Sequence, residues 1–187
     1  MKLPIIAYGD PVLRKKAVEI PKDYPGLSDL IANMFETMYH ASGVGIAAPQ
    51  IGLSIRLFVI DLTDKDEPDL KDFKKVFINA QILNEEGEKW NFNEGCLSIP
   101  EIREDISRHE QVTISYYDEH WKQHTETFSG FKARVIQHEY DHIEGKLFTD
   151  KLTPLRRALL KGKLDLISKG AIRVDYKMKF PAASKKR

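Results

Sequence analysis

Two histidines and a glutamate in the second half of the chain have the spacing of a hydrolytic metal site. Residues 137–142 read Gln-His-Glu-Tyr-Asp-His, so His138 and His142 are four residues apart and Glu139 follows the first. On a helix, residues four apart lie on one face, and both imidazoles can therefore reach one ion. Glu139 lies roughly 100° round the helix, where a carboxylate can take a proton from water held by the ion. The spacing predicts both an ion and its general base.

The flanking residues predict that this helix has a buried side close to the histidines. Ser129-Gly130 can begin the helix and Gly145 can end it. Histidines at this spacing also occur on ordinary helices, but buried imidazoles and acids need polar partners, and a metal ion supplies one. The apolar stripe at helical spacing consists of Phe131, Val135, Ile136, His142 and Ile143.

Two histidines leave the metal site incomplete, and three alternatives exist for the next ligand. The longer HExxHxxGxxH pattern keeps its glycine here but has Phe148 in place of the third histidine. A carboxylate from a later helix is the second alternative, with Asp165 as the candidate. Cys96, the only cysteine, is the third, although a lone cysteine is by default a small buried hydrophobe. We favour Cys96, because one thiolate and two imidazoles leave a tetrahedral ion one open position, as catalysis requires.

Three motifs follow one another along the chain and identify a family. They are residues 43–50 (GVGIAAPQ), 94–98 (EGCLS) and 137–142 (QHEYDH), preceded by residues 9–14 (GDPVLR). In this order, with the only cysteine in the middle motif, they resemble the peptide deformylases. The likeness extends from the N-terminus to about Lys151.

The resemblance implies a reaction and a role for several side chains. The enzyme would be a metal-dependent hydrolase that removes the N-terminal formyl group from formyl-methionyl nascent polypeptides and releases formate. Metal-bound water would attack the formyl carbon, with Glu139 as general acid and base. The side-chain amide of Gln50 and the backbone N–H of Leu97 would stabilise the oxyanion.

The identity of the ion is an expectation from the family, because one sulfur and two nitrogens suit several metals equally. The family typically works with ferrous iron, so we expect Fe²⁺, with Zn²⁺, Ni²⁺ or Co²⁺ as substitutes. An open iron site with a thiolate ligand should be sensitive to oxygen. The expected ligands are Cys96, His138 and His142.

An apolar pocket beside the ion is expected to take the methionine side chain. Backbone groups of Val44, Gly45 and Gly95 would pair with the extended peptide, and His138 would form part of the wall. Core packing explains the apolar members equally well. The predicted substrate-binding residues are Val44, Gly45, Ile46, Gly95, Phe131 and Val135.

Charged residues near the motifs are expected to orient the metal ligands. By resemblance, Glu94 would orient a ligand and Arg108 would hold Glu94, whereas the alternative is a pair of surface charges. Arg134 stands in the apolar stretch before His138, and its guanidinium cannot be placed from the sequence.

The remaining pattern predicts an α+β fold. We expect small antiparallel or mixed sheets packed around a central helix carrying HExxH, followed by a C-terminal helix and a terminal edge strand. The predicted elements are an amphipathic helix from Leu27 that ends before Gly43, strands at 57–62, 76–84, 112–117 and 123–128, a surface loop at 63–75, and a helix from Thr153-Pro154 to Gly170.

The length and composition of the chain limit the classes of protein to which it can belong. The 187 residues fit one domain, 1–187, of which about 174–187 would form the strand and a basic tail. A net charge of +1 argues against a DNA partner, and no segment predicts a signal peptide or a membrane span. One cysteine excludes an internal disulfide and fits the cytoplasm. We expect a monomer. Because the substrate would be a nascent peptide, the terminal lysines could contact the ribosome transiently, but a disordered, unbound tail is the favoured interpretation of this charge run.

Two other classes of function share parts of this pattern. A zinc-type endopeptidase has the HExxH chemistry but would cleave internal peptide bonds. A non-catalytic module with a structural ion would usually fill all four ligand positions with cysteine or histidine. Neither class explains Gln50 and Glu139 as well as a deformylase does.

Overall fold

The computed structural model describes residues 1–181, which fold into two sheets and three α-helices. A five-stranded antiparallel sheet keeps the chain order, and a separate pair of strands is parallel. The predicted α+β class is confirmed. The elements are β1 (Ile5–Ile6), α1 (Leu27–His40), β2 (Gly45–Ala47), β3 (Leu57–Asp61), β4 (Lys74–Cys96), β5 (Ile99–Tyr117), β6 (Gln123–Ser129), α2 (Gly130–Ile143), α3 (Pro154–Ser168) and β7 (Met178–Lys179).

The five-stranded sheet, β2 to β6, separates two apolar clusters. Successive strand residues point to opposite faces, and β3 shows this directly. Phe58 and Ile60 are fully buried in the cluster on the α2 side, whereas Leu57 and Val59 belong to the cluster that includes α1. Both faces are therefore covered, which explains why β3 is an almost continuous run of apolar residues.

Helix α2 begins and ends where the sequence predicts. Its first residue is Gly130, and after Ile143 the chain turns through Gly145, whose φ is +70°. The C-terminal end is held by the N-terminal segment, because the Ala17 N–H donates to the Ile143 carbonyl at 2.8 Å. A Cβ on Gly145 would lie 2.6 Å from the Arg14 carbonyl oxygen, so both backbone conformation and space require glycine.

Strands β4 and β5 are much longer than predicted. The pattern indicated 76–84 and 112–117, but the two strands pair antiparallel over most of their 23 and 19 residues. In their middle the side chains of 85–89 are exposed, so no apolar alternation marks the segment. Pairing between the two backbones stabilises these strands, and that pairing leaves no periodic signal.

The C-terminal region forms the predicted helix and a shortened strand. Helix α3 is capped by Thr153, whose hydroxyl accepts from the Arg156 N–H. Of the alternating segment 174–180 only β7 is a strand, and it pairs parallel with β1. The basic residues at 185–187 lie outside the described residues. No helix in residues 1–181 has both the length and the apolar character needed to span a membrane.

Two glycine-to-alanine substitutions should change stability in opposite directions. Gly145→Ala should cost about 1–2 kcal/mol or more, because a left-handed residue gains a Cβ that meets the Arg14 backbone. Gly162→Ala in α3 should gain roughly 0.5–1 kcal/mol, because its Cβ would enter open space. Urea unfolding of both variants beside the unsubstituted protein measures the difference. Equal urea midpoints for the two variants would contradict the predicted opposite effects of the two added Cβ atoms.

Candidate active site

The three predicted metal ligands come together at the end of β4. Cys96 is the last residue of that strand, and His138 and His142 are one turn apart on α2. One donor atom from each side chain lies within 4.8 Å of the other two. The Cys96 Sγ is 3.4 Å from the His142 Nε2. Residues 46 apart in the chain therefore share one site.

The chemistry of this donor set fits a metal ion. Burial lowers the pKa of His142 well below its usual range, so this ring is neutral, the form that binds metals. Burial also acts to lower the pKa of His138, but hydrogen bonds with Cys96 and Glu94 outweigh burial and raise it. Three protein ligands are typical of catalytic sites, whereas structural sites have four.

Glu94 is a buried carboxylate that accepts hydrogen bonds from β5 and α2. Its Oε2 accepts from the His138 Nδ1 at 2.9 Å, and its two oxygens accept from the Arg108 Nε and Nη2 at 2.7 and 3.0 Å. Burial acts to raise the pKa of Glu94, but the bonds from His138 and Arg108 outweigh it and hold the pKa well below the ordinary value. Glu94 and Arg108 are a buried pair, so the alternative of two surface charges is wrong.

Arg134 is the third partner of Glu94. Its Nη1 donates to the Glu94 Oε1 at 2.9 Å and to the Ile106 carbonyl at 2.8 Å. Its Nη2 donates to the Trp90 carbonyl, and the guanidinium lies 4.3 Å from the centre of the Trp90 ring. Arg134 is four residues before His138, so both side chains leave the same face of α2 towards Glu94. That spacing was visible in the sequence, but the partner was not.

Glu139 lies against the glycine-containing strand β2. A Cβ on Gly45 would lie 2.5 Å from the Glu139 Oε1, so glycine is required for this close approach. The Glu139 side chain is 4% exposed, and its Oε2 has no hydrogen-bond partner among residues 1–181. Burial raises the pKa of Glu139 to about 7. Such a carboxyl group exchanges a proton readily near neutral pH.

Gln50 is oriented towards the thiol by a local hydrogen bond. Its Oε1 accepts from the Ala47 N–H at 2.9 Å, which assigns the Nε2 to the side of the cavity. The Nε2 lies 3.5 Å from the Cys96 Sγ and 3.3 Å from the Ser98 Oγ. Ser98 is fully buried, and the sequence had not singled it out. Leu97 lies between these two residues, in the turn that joins β4 to β5.

A cavity of about 750 Å³ is lined in part by Cys96, His138 and Glu139. Ile46 is an exception among the predicted wall residues. Its side chain is fully buried in the cluster with Met34 and Met38, since neighbours on β2 face opposite sides. The lining includes the predicted Val44, Gly45, Gly95, Phe131 and Val135, together with Lys65, Glu101, Arg103, Val174, Asp175 and Tyr176, which the sequence had not indicated.

Known proteins with similar sequences share one description. The family model for polypeptide deformylases matches residues 2–158. The peptide deformylase of Christiangramia forsetii is 62% identical over 196 aligned positions that cover 100% of both chains. The peptide deformylase of Pseudothermotoga lettingae is 44% identical and covers 90% of this chain and 93% of its own.

Solved structures share the fold as well. A peptide deformylase from Legionella pneumophila superposes with a TM-score of 0.80 at 40% identity, covering 92% of this chain and 99% of its own. One from Synechococcus elongatus, solved in complex with actinonin, gives a TM-score of 0.78 at 37% identity, covering 95% and 92%. Since the family model matches most of the chain and the relatives span its whole length, the chain belongs to the polypeptide deformylase family.

Proposed function

We propose that the chain hydrolyses the N-terminal formyl group of formyl-methionyl nascent polypeptides, with release of formate and a free amino terminus. The observation that carries this proposal is the convergence of Cys96, His138 and His142 within 4.8 Å, beside a cavity that Cys96, His138 and Glu139 line. The descriptions of its relatives supply the substrate class. Within the family, a thiolate and two imidazoles beside a free carboxyl group support amide hydrolysis.

Cys96, His138 and His142 would hold the ion, for which we propose Fe²⁺, with Zn²⁺, Ni²⁺ or Co²⁺ as substitutes. When bound, the ion supplies Lewis acidity, which lowers the pKa of water and polarises the formyl carbonyl. Glu94 keeps the His138 Nδ1 protonated as a donor, so that its Nε2 is free for the ion.

Glu139 is the proposed proton carrier of the reaction. Its carboxylate accepts a proton from the attacking water and delivers it to the amine that leaves, so that formamide and water become formate and amine. The Gln50 Nε2 and the Leu97 N–H donate to the oxygen on which negative charge develops. The bond from Ala47 to the Gln50 Oε1 supports this role, because it prevents the amide from turning its oxygen towards that charge.

The cavity would bind the start of the peptide. Phe131 and Val135 provide apolar wall for the methionine side chain, and the backbone of Val44, Gly45 and Gly95 is available to an extended chain. Backbone pairing gives tolerance for the residues that follow methionine.

The direct test is formate release from formyl-Met-Ala-Ser. Acetyl-Met-Ala-Ser and casein are assayed beside it, because an endopeptidase would cut casein and would not require the formyl group. We expect formate from the first peptide and no cleavage of the other two. Casein digestion without formate release would favour the endopeptidase.

Glu139→Ala should separate catalysis from metal binding. We expect kcat to fall by about 10²–10⁴, the usual contribution of a general acid or base, while the metal content stays close to normal. Cys96→Ala should lose the metal as well, and Glu110→Ala, on the exposed part of β5, should match the unsubstituted protein in both. Elemental analysis and steady-state kinetics give the two readouts. Full activity in Glu139→Ala would refute the assigned base.

Metal removal should abolish turnover reversibly. After exhaustive chelation, Fe²⁺ added without oxygen should restore full activity, and Zn²⁺ should restore less. Exposure to air should inactivate the iron form, because oxygen can reach a ferrous ion with a free coordination position and can oxidise its thiolate ligand. Chelated protein that still releases formate at the normal rate would exclude a metal mechanism, and iron-free protein stable in air at full rate would exclude iron.

Arg134→Met should weaken metal binding without touching a ligand. The change removes one of the partners of Glu94 and leaves the His138 ring less firmly oriented, so we expect metal affinity to fall about 10- to 100-fold. Lys132→Met is the control, since Lys132 on the same helix pairs only weakly with Asp69, at 3.8 Å. Competition with a chelator measures both. Equal affinities would show that Glu94 does not need Arg134.

We also propose that the enzyme is cytoplasmic and monomeric and that it contacts the ribosome transiently. The nascent-chain substrate emerges from the ribosome, where the basic residues at 185–187 could approach rRNA phosphates. Co-sedimentation with ribosomes at low salt, compared with a chain lacking 182–187, tests this contact. Equal binding by both proteins would remove the tail from consideration.

A further inference from the structure

The segment that follows α3 returns to the active-site cavity. Its backbone is held beside β1, where the Ile5 N–H donates to the Lys177 carbonyl and the Ala7 N–H donates to the Lys179 carbonyl, both at 2.9 Å. This pairing places residues 174–176 on the cavity wall. The family model ends at residue 158, so this part of the wall lies outside the match.

Tyr176 makes a specific contact there. Its hydroxyl donates a hydrogen bond to the Leu97 carbonyl at 2.8 Å, across 79 residues of chain. Its ring is half-buried and packs, with Leu97 and Met178, against the cluster that contains α1. Burial and, as a lesser cause, the charge of Cys96 raise the pKa of Tyr176, so the hydroxyl remains a donor at neutral pH.

Leu97 provides one of the two proposed hydrogen-bond donors to the oxyanion. It lies outside the ladder of β4 and β5, between the metal ligand Cys96 and the buried Ser98. Both neighbours are fixed: Cys96 pairs with Ile99, and the Ser98 carbonyl accepts from the Tyr8 N–H at 2.9 Å. The hydrogen bond to the Leu97 carbonyl restrains the peptide unit between Leu97 and Ser98. Only the φ and ψ dihedrals of Leu97 connect this unit to the preceding one, which carries the Leu97 N–H, so the restraint limits the directions that this N–H can take.

We propose that Tyr176 is a positioning residue, whose hydroxyl holds the Leu97 backbone so that the Leu97 N–H points at the formyl oxygen during hydrolysis. The inference rests on the proposed deformylase function. It assigns a role in the reaction to a segment beyond the family motifs. Tyr176 itself touches no reacting atom, so its removal should affect turnover more than substrate binding.

Tyr176→Phe tests this role by removing one oxygen atom. We expect kcat for formyl-Met-Ala-Ser to fall about tenfold, less than the roughly 10²-fold or greater loss expected when an oxyanion donor is itself removed. KM should stay within about twofold, and the metal content should not change. Tyr39→Phe is the matched control, because it also removes a hydrogen-bonded hydroxyl, the one that donates to Asp61 on β3. That variant should keep the kcat of the unsubstituted protein.

A second readout follows the hydrogen bond itself. The Ser98 amide belongs to the same peptide unit as the Leu97 carbonyl, so its ¹⁵N and ¹H shifts in the zinc-loaded protein should move in Tyr176→Phe and not in Tyr39→Phe. An unmoved Ser98 amide, an unchanged kcat, or a loss of activity that follows loss of metal would each overturn the inference. If the unsubstituted protein releases no formate, the proposed function is wrong. The role of Tyr176 in turnover is then wrong too, even if the chemical shifts of the Ser98 amide move in Tyr176→Phe.

Discussion

The active site depends on one buried carboxylate that joins three elements. Glu94 on β4 accepts hydrogen bonds from Arg108 on β5 and from Arg134 and His138 on α2. Glu94 and Cys96, two residues apart at the end of β4, both contact histidines of α2. Removing one partner from a buried charge of this kind typically costs about 3–5 kcal/mol. The cluster therefore fixes strand and helix relative to each other, and with them the cysteine relative to the histidines.

The same cluster explains why charged residues stand in the apolar stretch of α2. A buried carboxylate without partners is very costly, and a single arginine would leave acceptor positions on Glu94 unused. Arg134 uses one of them and also donates to two backbone carbonyls of β4 and β5. An apolar residue at position 134 would pack more easily but would leave Glu94 and those carbonyls short of donors. Arg134 therefore lines the cavity and also supports Glu94.

Glu139 shows the opposite arrangement from Glu94. Both carboxylates are buried, but Glu94 is bonded on both oxygens and its pKa is held low, whereas burial raises the pKa of Glu139 to about 7. Two glutamates 45 residues apart in sequence thus acquire different acidities from their surroundings: Glu94 is held as an anion, and Glu139 has a pKa near neutrality. Carboxyl groups whose environments separate their pKa values in this way are typical of hydrolytic sites.

The sequence by itself determined the parts of the protein that depend on local spacing. The two histidines of HExxH share one helical face because of helix geometry, the limits of α2 follow from its flanking glycines, and Cys96 was the strongest third ligand on chemical grounds. Only the tertiary structure decided the partner of Arg134, the turn of Ile46 into the core, the length of β4 and β5, and the return of Tyr176 to Leu97. The periodicity of apolar residues indicates which face of its own helix or strand a residue occupies. It carries no information about which distant segment lies opposite, because that choice is made by packing among all the elements at once.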